Sequence, residues 1–449
     1  MAALPEDRAS PDASGAGASP HPSGALVPNE RLRDLVPDER LRRSSTRPIL
    51  VQKFGGTSLS TPARIKRAAR RVAASQRAGY DVVVVVSAMG DSTDRLLGLA
   101  SRVAKEPAAR ELDLLLSTGE GVSAPLMSMA VTELGIPAVS LLGFQAGIQT
   151  DQRHAKARIV GLTPARIERE LAAGRVVVVA GFQGMGVEME VTTLGRGGSD
   201  TTAVALAASL KAQACEIFTD VRGIYTVDPR FVPSARLLTH IAYPEMLELA
   251  SAGARVMHPR AVEIAEAYGL ELHVRSSFHA GPGTIITSEE AIMEDRNRVR
   301  GIAHEEQVAR LSVVGVPDRP GIAASIFLPL AEADIAADVI VQTASHEGVT
   351  DMSFTVSSAD GRQAKRILDG IAQEIGARTV LAQDGLAKVS VIGSGIRGQP
   401  GVAANMFKTL SELGINIEMI STSEVRITCI IQADRIKDAV AGLHEAFHL

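Results

Sequence analysis

The chain has 449 residues, 45% of them apolar, and a formal charge of −4 from 47 basic and 51 acidic side chains. The length allows two or three domains, and the near balance of charge excludes the basic field that captures nucleic acid or anionic membrane. No apolar run approaches the roughly 20 residues of a membrane span, and residues 1–47 lack a signal-peptide core, so the chain reads as cytoplasmic.

Residues 1–47 are rich in Ala, Pro, Ser and Gly without a periodic apolar face, and read as a disordered extension ending in a short charged helix, "ERLRDLVPDERLRR". From residue 48 to about 290 the texture changes. Val-rich runs ("PILVQKF", "DVVVVVSAMG", "RVVVVAGFQG") alternate with amphipathic stretches such as "ARIKRAARRVAASQRAG". Strands buried on both faces of a parallel sheet have this pattern, so a three-layer α/β domain is expected. Ligands in such domains collect at the carboxyl ends of strands, where this chain puts its Gly, Ser and Asp clusters.

The first cluster, "KFGGTS", offers Lys53, Phe54, Gly55 and Gly56, a cation beside bare backbone that suits phosphate; alone it is equally a Gly-Gly turn beside a surface lysine. The second, "TTLGRGGSDTTA" at 192–203, sets Arg196, Gly197, Ser199 and Asp200 ahead of an Ala-rich helix, and the planar fork of Arg196 suits a carboxylate. The third, "FTDVRGIYTVDPR" at 218–230, supplies Thr219, Asp220, Tyr225, Asp228 and Arg230. It reads either as a nucleotide pocket, with Arg230 near phosphate, or as a polar loop. Cys215 and Cys429 lie far apart in apolar surroundings and read as reduced core residues; His258 reads as structural.

Beyond residue 300 the chain repeats itself. Pro320 and Pro400, Gly321 and Gly401, Phe327 and Phe407, and Leu330 and Leu410 stand 80 residues apart. Each copy reads strand, Pro-Gly turn, helix, strand. The copies are expected at 309–385 and 386–449, with 291–308 as a linker and joining strand. Their Pro-Gly helix starts either hold a small carboxylate or only set the turn.

The motifs "KFGGTS", "VVSAMGDSTD", "LLSTGE", "AGFQG", "TTLGRGGSDTTAVALAA", "TDVRGIYTVDPR", "GARVMHPRAVE" and "VRSSF" follow in that order. From about residue 48 to 449 the chain resembles the aspartate kinases, members of the amino acid kinase superfamily with tandem ACT domains. The resemblance implies a mainly parallel central sheet followed by two α+β ACT domains (βαββαβ). It also implies the transfer of phosphate from ATP, with Mg²⁺, to L-aspartate at the entry to lysine, threonine and methionine. By position, Lys53, Gly55 and Gly56 correspond to the phosphate cradle, and Ser87 and Thr93 to hydroxyls near phosphate and substrate. Glu120 corresponds to the group facing the α-amino group and Arg196 to that facing the α-carboxylate, with Phe182, Gly197 and Ser199 nearby. Asp200 corresponds to the residue that orients the lysine. Thr219, Asp220, Tyr225, Asp228, Arg230 and Arg255 correspond to the ATP site, with no protein-only metal site.

Effector positions carried over in the repeats are Asp318, Gly321, Asp338, Gln342, Ala403, Asn416, Ile417 and Glu424. Departures from the family pattern fall at Gly121, Ala124 and Phe144 near the substrate, and at Ala336, Ala337, Thr343 and Ala403 in the repeats. The lost polar groups imply weak or altered feedback by lysine or threonine. The resemblance also implies a homo-oligomer joined through the repeats, and in some relatives a separate regulatory subunit, for which Met293 is a suitable start. The rival readings are a kinase for another amino acid and a catalytically idle amino-acid sensor.

Overall fold

The structure is a computed structural model and describes residues 47–254, 256–292, 299–396 and 399–449. The extension expected before residue 47, Arg255 and Met293 lie outside the described residues.

The N-terminal part runs β1 (Ile49–Phe54), α1 (Gly56–Leu59), α2 (Pro62–Arg77), β2 (Asp81–Val86), α3 (Ser92–Val103), α4 (Ala109–Thr132), β3 (Ala138–Leu141), β4 (Ile148–Thr150) and β5 (Ile159–Leu162). It continues through α5 (Ala165–Ala172), β6 (Val176–Ala180), β7 (Gln183–Met185), β8 (Val191–Thr193), α6 (Gly198–Ser209) and β9 (Ala214–Thr219). It closes with β10 (His240–Ala242), α7 (Tyr243–Ser251), α8 (Pro259–Tyr268), β11 (Leu272–Ser276) and β12 (Thr284–Thr287).

An eight-stranded sheet takes the order β10-β12-β11-β9-β1-β2-β6-β3. The run from β11 to β3 is parallel, and β12 opposes β11. The Val runs become its interior strands because helices cover both faces. Val83, Val85, Val177 and Val179 pack toward α6 and α8, whereas Val82, Val84, Val176 and Val178 pack toward α2 and α4. A small sheet, β5-β4-β7-β8, feeds Thr193 into the turn before α6.

Helix α4 corrects one expectation: by length and composition it is apolar enough to cross a membrane. It is built as a core helix, however, packing Met127 and Val131 on the sheet and burying Asp113, Ser117 and Glu120, which hydrocarbon would penalise.

The regulatory part runs β13 (Gly301–Pro317), α9 (Ile322–Glu332), β14 (Ile340–Gln342), β15 (Val349–Ser357), α10 (Ser358–Ile371), β16 (Thr379–Ile392), α11 (Pro400–Glu412), β17 (Met419–Thr422), β18 (Arg426–Gln432) and α12 (Ile436–Ala446). These strands form one six-stranded antiparallel sheet, β14-β15-β13-β16-β18-β17. Strands β13 and β16 are long enough to serve both units. Residues 301–305 pair with 388–392 on β16, so they supply the strand that residues 386–449 lack. Of the segment expected as a linker and joining strand, residues 301–305 thus lie in the sheet beside the second unit.

Across the seam the units exchange ion pairs. Asp338 meets Lys388 at 2.6 Å and Glu418 meets Arg310 at 3.1 Å, while on the second unit's own strand pair Glu305 meets the same Lys388 at 2.6 Å. Asp338 and Glu418 stand 80 residues apart, so each repeat sends an equivalent acid to a base of the other.

Helix α7 joins the two parts. Glu245, almost fully buried, accepts from the Ser394 N–H and Oγ at 2.9 Å, and Glu248 pairs with Arg426 at 3.0 Å. Val227 and Val232, just past Tyr225, are buried in the core of the second repeat. Cys215 and Cys429 are buried free thiols, as expected, and burial pushes the Cys429 thiol up to about 12.

Candidate active site

The carboxyl ends of β1, β2, β6 and β9 open side by side, and the three sequence clusters meet there. Lys53 lies on an interior strand and is 9% exposed; a lysine so placed needs an opposite charge. Asp200 supplies it from the first turn of α6, with Nζ to Oδ1 at 2.6 Å. That turn is also where a helix dipole favours a carboxylate.

After β1 the chain turns through Gly55, whose N–H donates to the Phe218 carbonyl at 3.2 Å. A Cβ at Gly56 would stand 2.8 Å from the Ala88 carbonyl oxygen, so only glycine lets this turn lie against the end of β2. Ser87 is tied to the same turn by its N–H to the Phe54 carbonyl, at 3.1 Å. Thr93 is half-buried at the start of α3.

Glu120 comes in from α4. It is 3% exposed, and its Oε1 accepts from the Ala88 N–H at 2.9 Å. Its Oε2 is buried with no hydrogen-bond partner among the described residues. Burial pushes the carboxyl up to about 7, more than the Ala88 bond offsets. A buried carboxylate left half satisfied in a cleft is a receptor for a cation or a donor.

The end of β6 meets the start of α6. Phe182 holds a left-handed backbone with φ of 69°, its N–H donating to Thr202 Oγ1 at 3.1 Å and its carbonyl accepting from Leu194. Strain of that kind in a bulky residue persists only where the surroundings impose it. Ser199 is buried against Gly181. Gly197 caps α6 with φ of 68°, and His258 packs on it so closely that any side chain there would collide. Arg196, one residue earlier, is exposed and has no hydrogen bond or ion pair among the described residues. His258 Nδ1 is buried without a partner, and burial lowers the imidazole's pKa.

The nucleotide candidates follow β9. Thr219 Oγ1 donates to Asp220 Oδ1 at 3.1 Å, and Tyr225 is half-buried on a bridge to Leu237. Arg230 is held by Asp228 in a fork, with Nη2 to Oδ2 at 2.6 Å, and this bond holds Asp228 below the usual carboxylate range. The structure thus joins these two residues to each other.

The effector candidates are dispersed. Asp318, Gly321 and Gln342 are exposed on the first unit, and Asn416 and Glu424 on the second. Ala403 and Ile417 pack on the core of the second unit, and Asp338 is engaged by Lys388. Of the departures, Gly121 has only Leu142 near its missing side chain, at 3.8 Å, and Phe144 is 40% exposed.

Sequence reasoning missed Asp113, a fully buried acid on α4 that binds Thr193 and the 154–155 turn. Its only signal was an acid on the otherwise apolar face of "ELDLLLSTGE".

A parallel sheet with a glycine turn, a paired lysine and a half-satisfied acid at its carboxyl edge defines a kinase for a small carboxylate-bearing metabolite. Residues 48–276 match the amino acid kinase family, and residues 311–370 and 389–447 match an ACT domain. The chain is 50% identical over 403 residues to an aspartokinase of Pseudomonas aeruginosa, covering 89% of this chain and 98% of that protein. Among solved structures it is similar to E. coli aspartokinase III in complex with aspartate and ADP (R-state), with a TM-score of 0.74 and 26% identity. The lysine and aspartate complex (T-state) of that enzyme gives 0.69 at the same identity; both cover 89% of this chain and all of theirs. The chain belongs to the aspartate kinases.

Proposed function

We propose that the cleft moves the γ-phosphoryl group of ATP to the side-chain carboxylate of L-aspartate, with Glu120 and Arg196 gripping the amino acid. The observation that carries this reading is the buried, partnerless Oε2 of Glu120, which an α-ammonium would satisfy. Arg196, two residues before α6 and unpaired among the described residues, is suited to the α-carboxylate.

The nucleophile is a carboxylate already ionised at neutral pH, so the reaction needs no general base. Catalysis reduces to aligning two anions and neutralising the charge between them. Lys53 is the cation for that task, and Asp200 fixes its direction. Gly55 and Gly56 bring backbone close to phosphate, with the hydroxyls of Ser87, Thr93 and Ser199 beside it and Phe182 walling the substrate. Thr219, Asp220, Tyr225 and Arg255 take the nucleotide, and Arg230 reaches phosphate by leaving Asp228. Mg²⁺ enters with ATP, held by phosphate and water, and adds positive charge at the transferring group.

For regulation, Ala336, Ala337 and the packed Ala403 support weak or altered feedback by lysine or threonine. Assembly into a homo-oligomer through the regulatory sheets is supported by the exposed edge strand β14, with Ile340 at 53% exposure. The enzyme is read as cytoplasmic, serving lysine, threonine and methionine synthesis.

Hydroxylamine trapping of the acyl phosphate tests the reading. With ATP and Mg²⁺, hydroxamate is expected from L-aspartate and not from L-glutamate or N-acetylglutamate, and lysine and threonine are expected to reduce it little. Product from another acid reassigns the substrate, no product supports the idle sensor, and strong inhibition removes the altered-feedback reading.

A further inference from the structure

The amino and carboxylate groups of an α-amino acid sit on one carbon. The two protein groups that grip them must therefore hold a fixed spacing, although one comes from α4 and the other from the turn before α6. One side chain spans those elements. Asp113 is fully buried on α4; its carboxyl group accepts from Thr193 Oγ1 at 2.5 Å and the Ala155 N–H at 3.0 Å, and hydrogen-bonds with His154 Nδ1 at 2.8 Å.

Asp113, Ser117 and Glu120 follow the i, i+4, i+7 spacing and share one buried face of the helix. The middle position is also tied down: the Ser117 carbonyl accepts from the Gln183 side chain at 2.8 Å. On the opposite side Thr193 precedes Arg196 by three residues. Its carbonyl accepts from the Ala157 N–H at 2.9 Å, and the next carbonyl, of Leu194, accepts from Arg260 at 2.9 Å. The backbone leading to Arg196 is thus pinned while the guanidinium itself stays free.

We infer that Asp113, through Thr193, is a positioning residue that sets the spacing between Glu120 and Arg196 and so the affinity for the amino-acid substrate. Asp113 has no exposed surface and acts only through its partners. This inference rests on the assignment of Glu120 and Arg196 to the substrate.

The test uses Thr193→Val, which removes the hydroxyl at nearly constant volume, and Thr193→Ser, which keeps it. Valine is expected to raise the KM for L-aspartate by about tenfold through the lost spacing, with the KM for ATP near wild type and the thermal midpoint lowered, because the buried Asp113 loses one partner. Serine is expected to restore the aspartate KM. Asp113→Ala should produce the same selective defect, and adding Thr193→Val to it should cost little more. An unmoved aspartate KM in Thr193→Val overturns the inference alone, and so does a rise in both KM values that tracks a fall in thermal midpoint. Wild-type enzyme that makes no aspartyl hydroxamate would instead remove the substrate assignment on which it stands.

Discussion

The two halves of the molecule treat their acids differently. In the kinase half Glu120 is almost fully buried and keeps one oxygen without a partner among the described residues, and Arg196, exposed before α6, has no counterion among them. In the regulatory half Asp338 and Glu418 are each met by a base of the opposite repeat, Lys388 and Arg310. A polar group left open at a cost marks a place where something else binds; a polar group closed by its neighbour marks architecture. The Lys53–Asp200 pair stands between these cases, closed in the free protein yet at the mouth of the cleft.

Substitutions can break the comparison in order of effect. Lys53→Ala is expected to lower kcat by about a thousandfold or more, since it removes a cation fixed beside the reacting centre, and to lower the thermal midpoint as well, since it strips the buried Asp200 of its partner; hydroxamate assay and calorimetry check the two. Glu120→Gln should raise the KM for aspartate by about tenfold or more and leave the KM for ATP unchanged in steady-state kinetics.

The same residue gives a pH signature. As pH falls through about 7 the free enzyme's Glu120 takes up a proton and loses its pull on ammonium, so wild-type KM for aspartate should rise on the acid side. Stability moves the other way. A carboxyl raised above its ordinary 4.5 favours the fold at low pH, and that contribution is lost as pH rises through about 7. Glu120→Gln escapes this loss, so by urea denaturation above neutrality it should gain on wild type by up to about 3 kcal/mol.

Lys388→Met tests the closed side. It strips the partly exposed Asp338 and Glu305 of their shared base and should destabilise the protein by at most about 1 kcal/mol at neutral pH while leaving the aspartate KM unchanged. Burial works to raise Asp338, but the Lys388 bond and charge outweigh it and hold the group below the usual carboxylate range. The stability it brings is present above the ordinary aspartate value and lost as pH falls through the lowered one, and this acid dependence should vanish in Lys388→Met. The smallest effect is expected from Arg230→Ala: no change in thermal midpoint, because an exposed ion pair contributes little, and a rise of about threefold in the KM for ATP.

The sequence made the kinase core legible because its signals are local. Five-residue Val runs announce strands buried on both faces, and the glycine turn after Lys53 and the Arg196–Asp200 cluster lie next to the strand and helix that carry them. The regulatory half hid more, because its pairings are long-range. Nothing near residues 301–305 says that they complete a sheet with 388–392, and nothing near Asp338 names Lys388. Asp113 was missed for the same reason: an acid on a helix reads as solvated until the fold brings Thr193 and His154 to it. In the opposite direction, α4 has the composition of a membrane span, and only its packing on the sheet shows it to be a core helix.

The central claim, that the open oxygen of Glu120 recognises the α-ammonium, is tested most directly by comparing L-aspartate with succinate, which lacks that group, in wild type and Glu120→Gln. Hydroxamate formation should favour aspartate strongly in wild type, and the preference should shrink by about tenfold or more in the variant, almost wholly through loss of aspartate. A wild-type enzyme that uses succinate as well as aspartate, or a variant that loses both substrates equally, would contradict it.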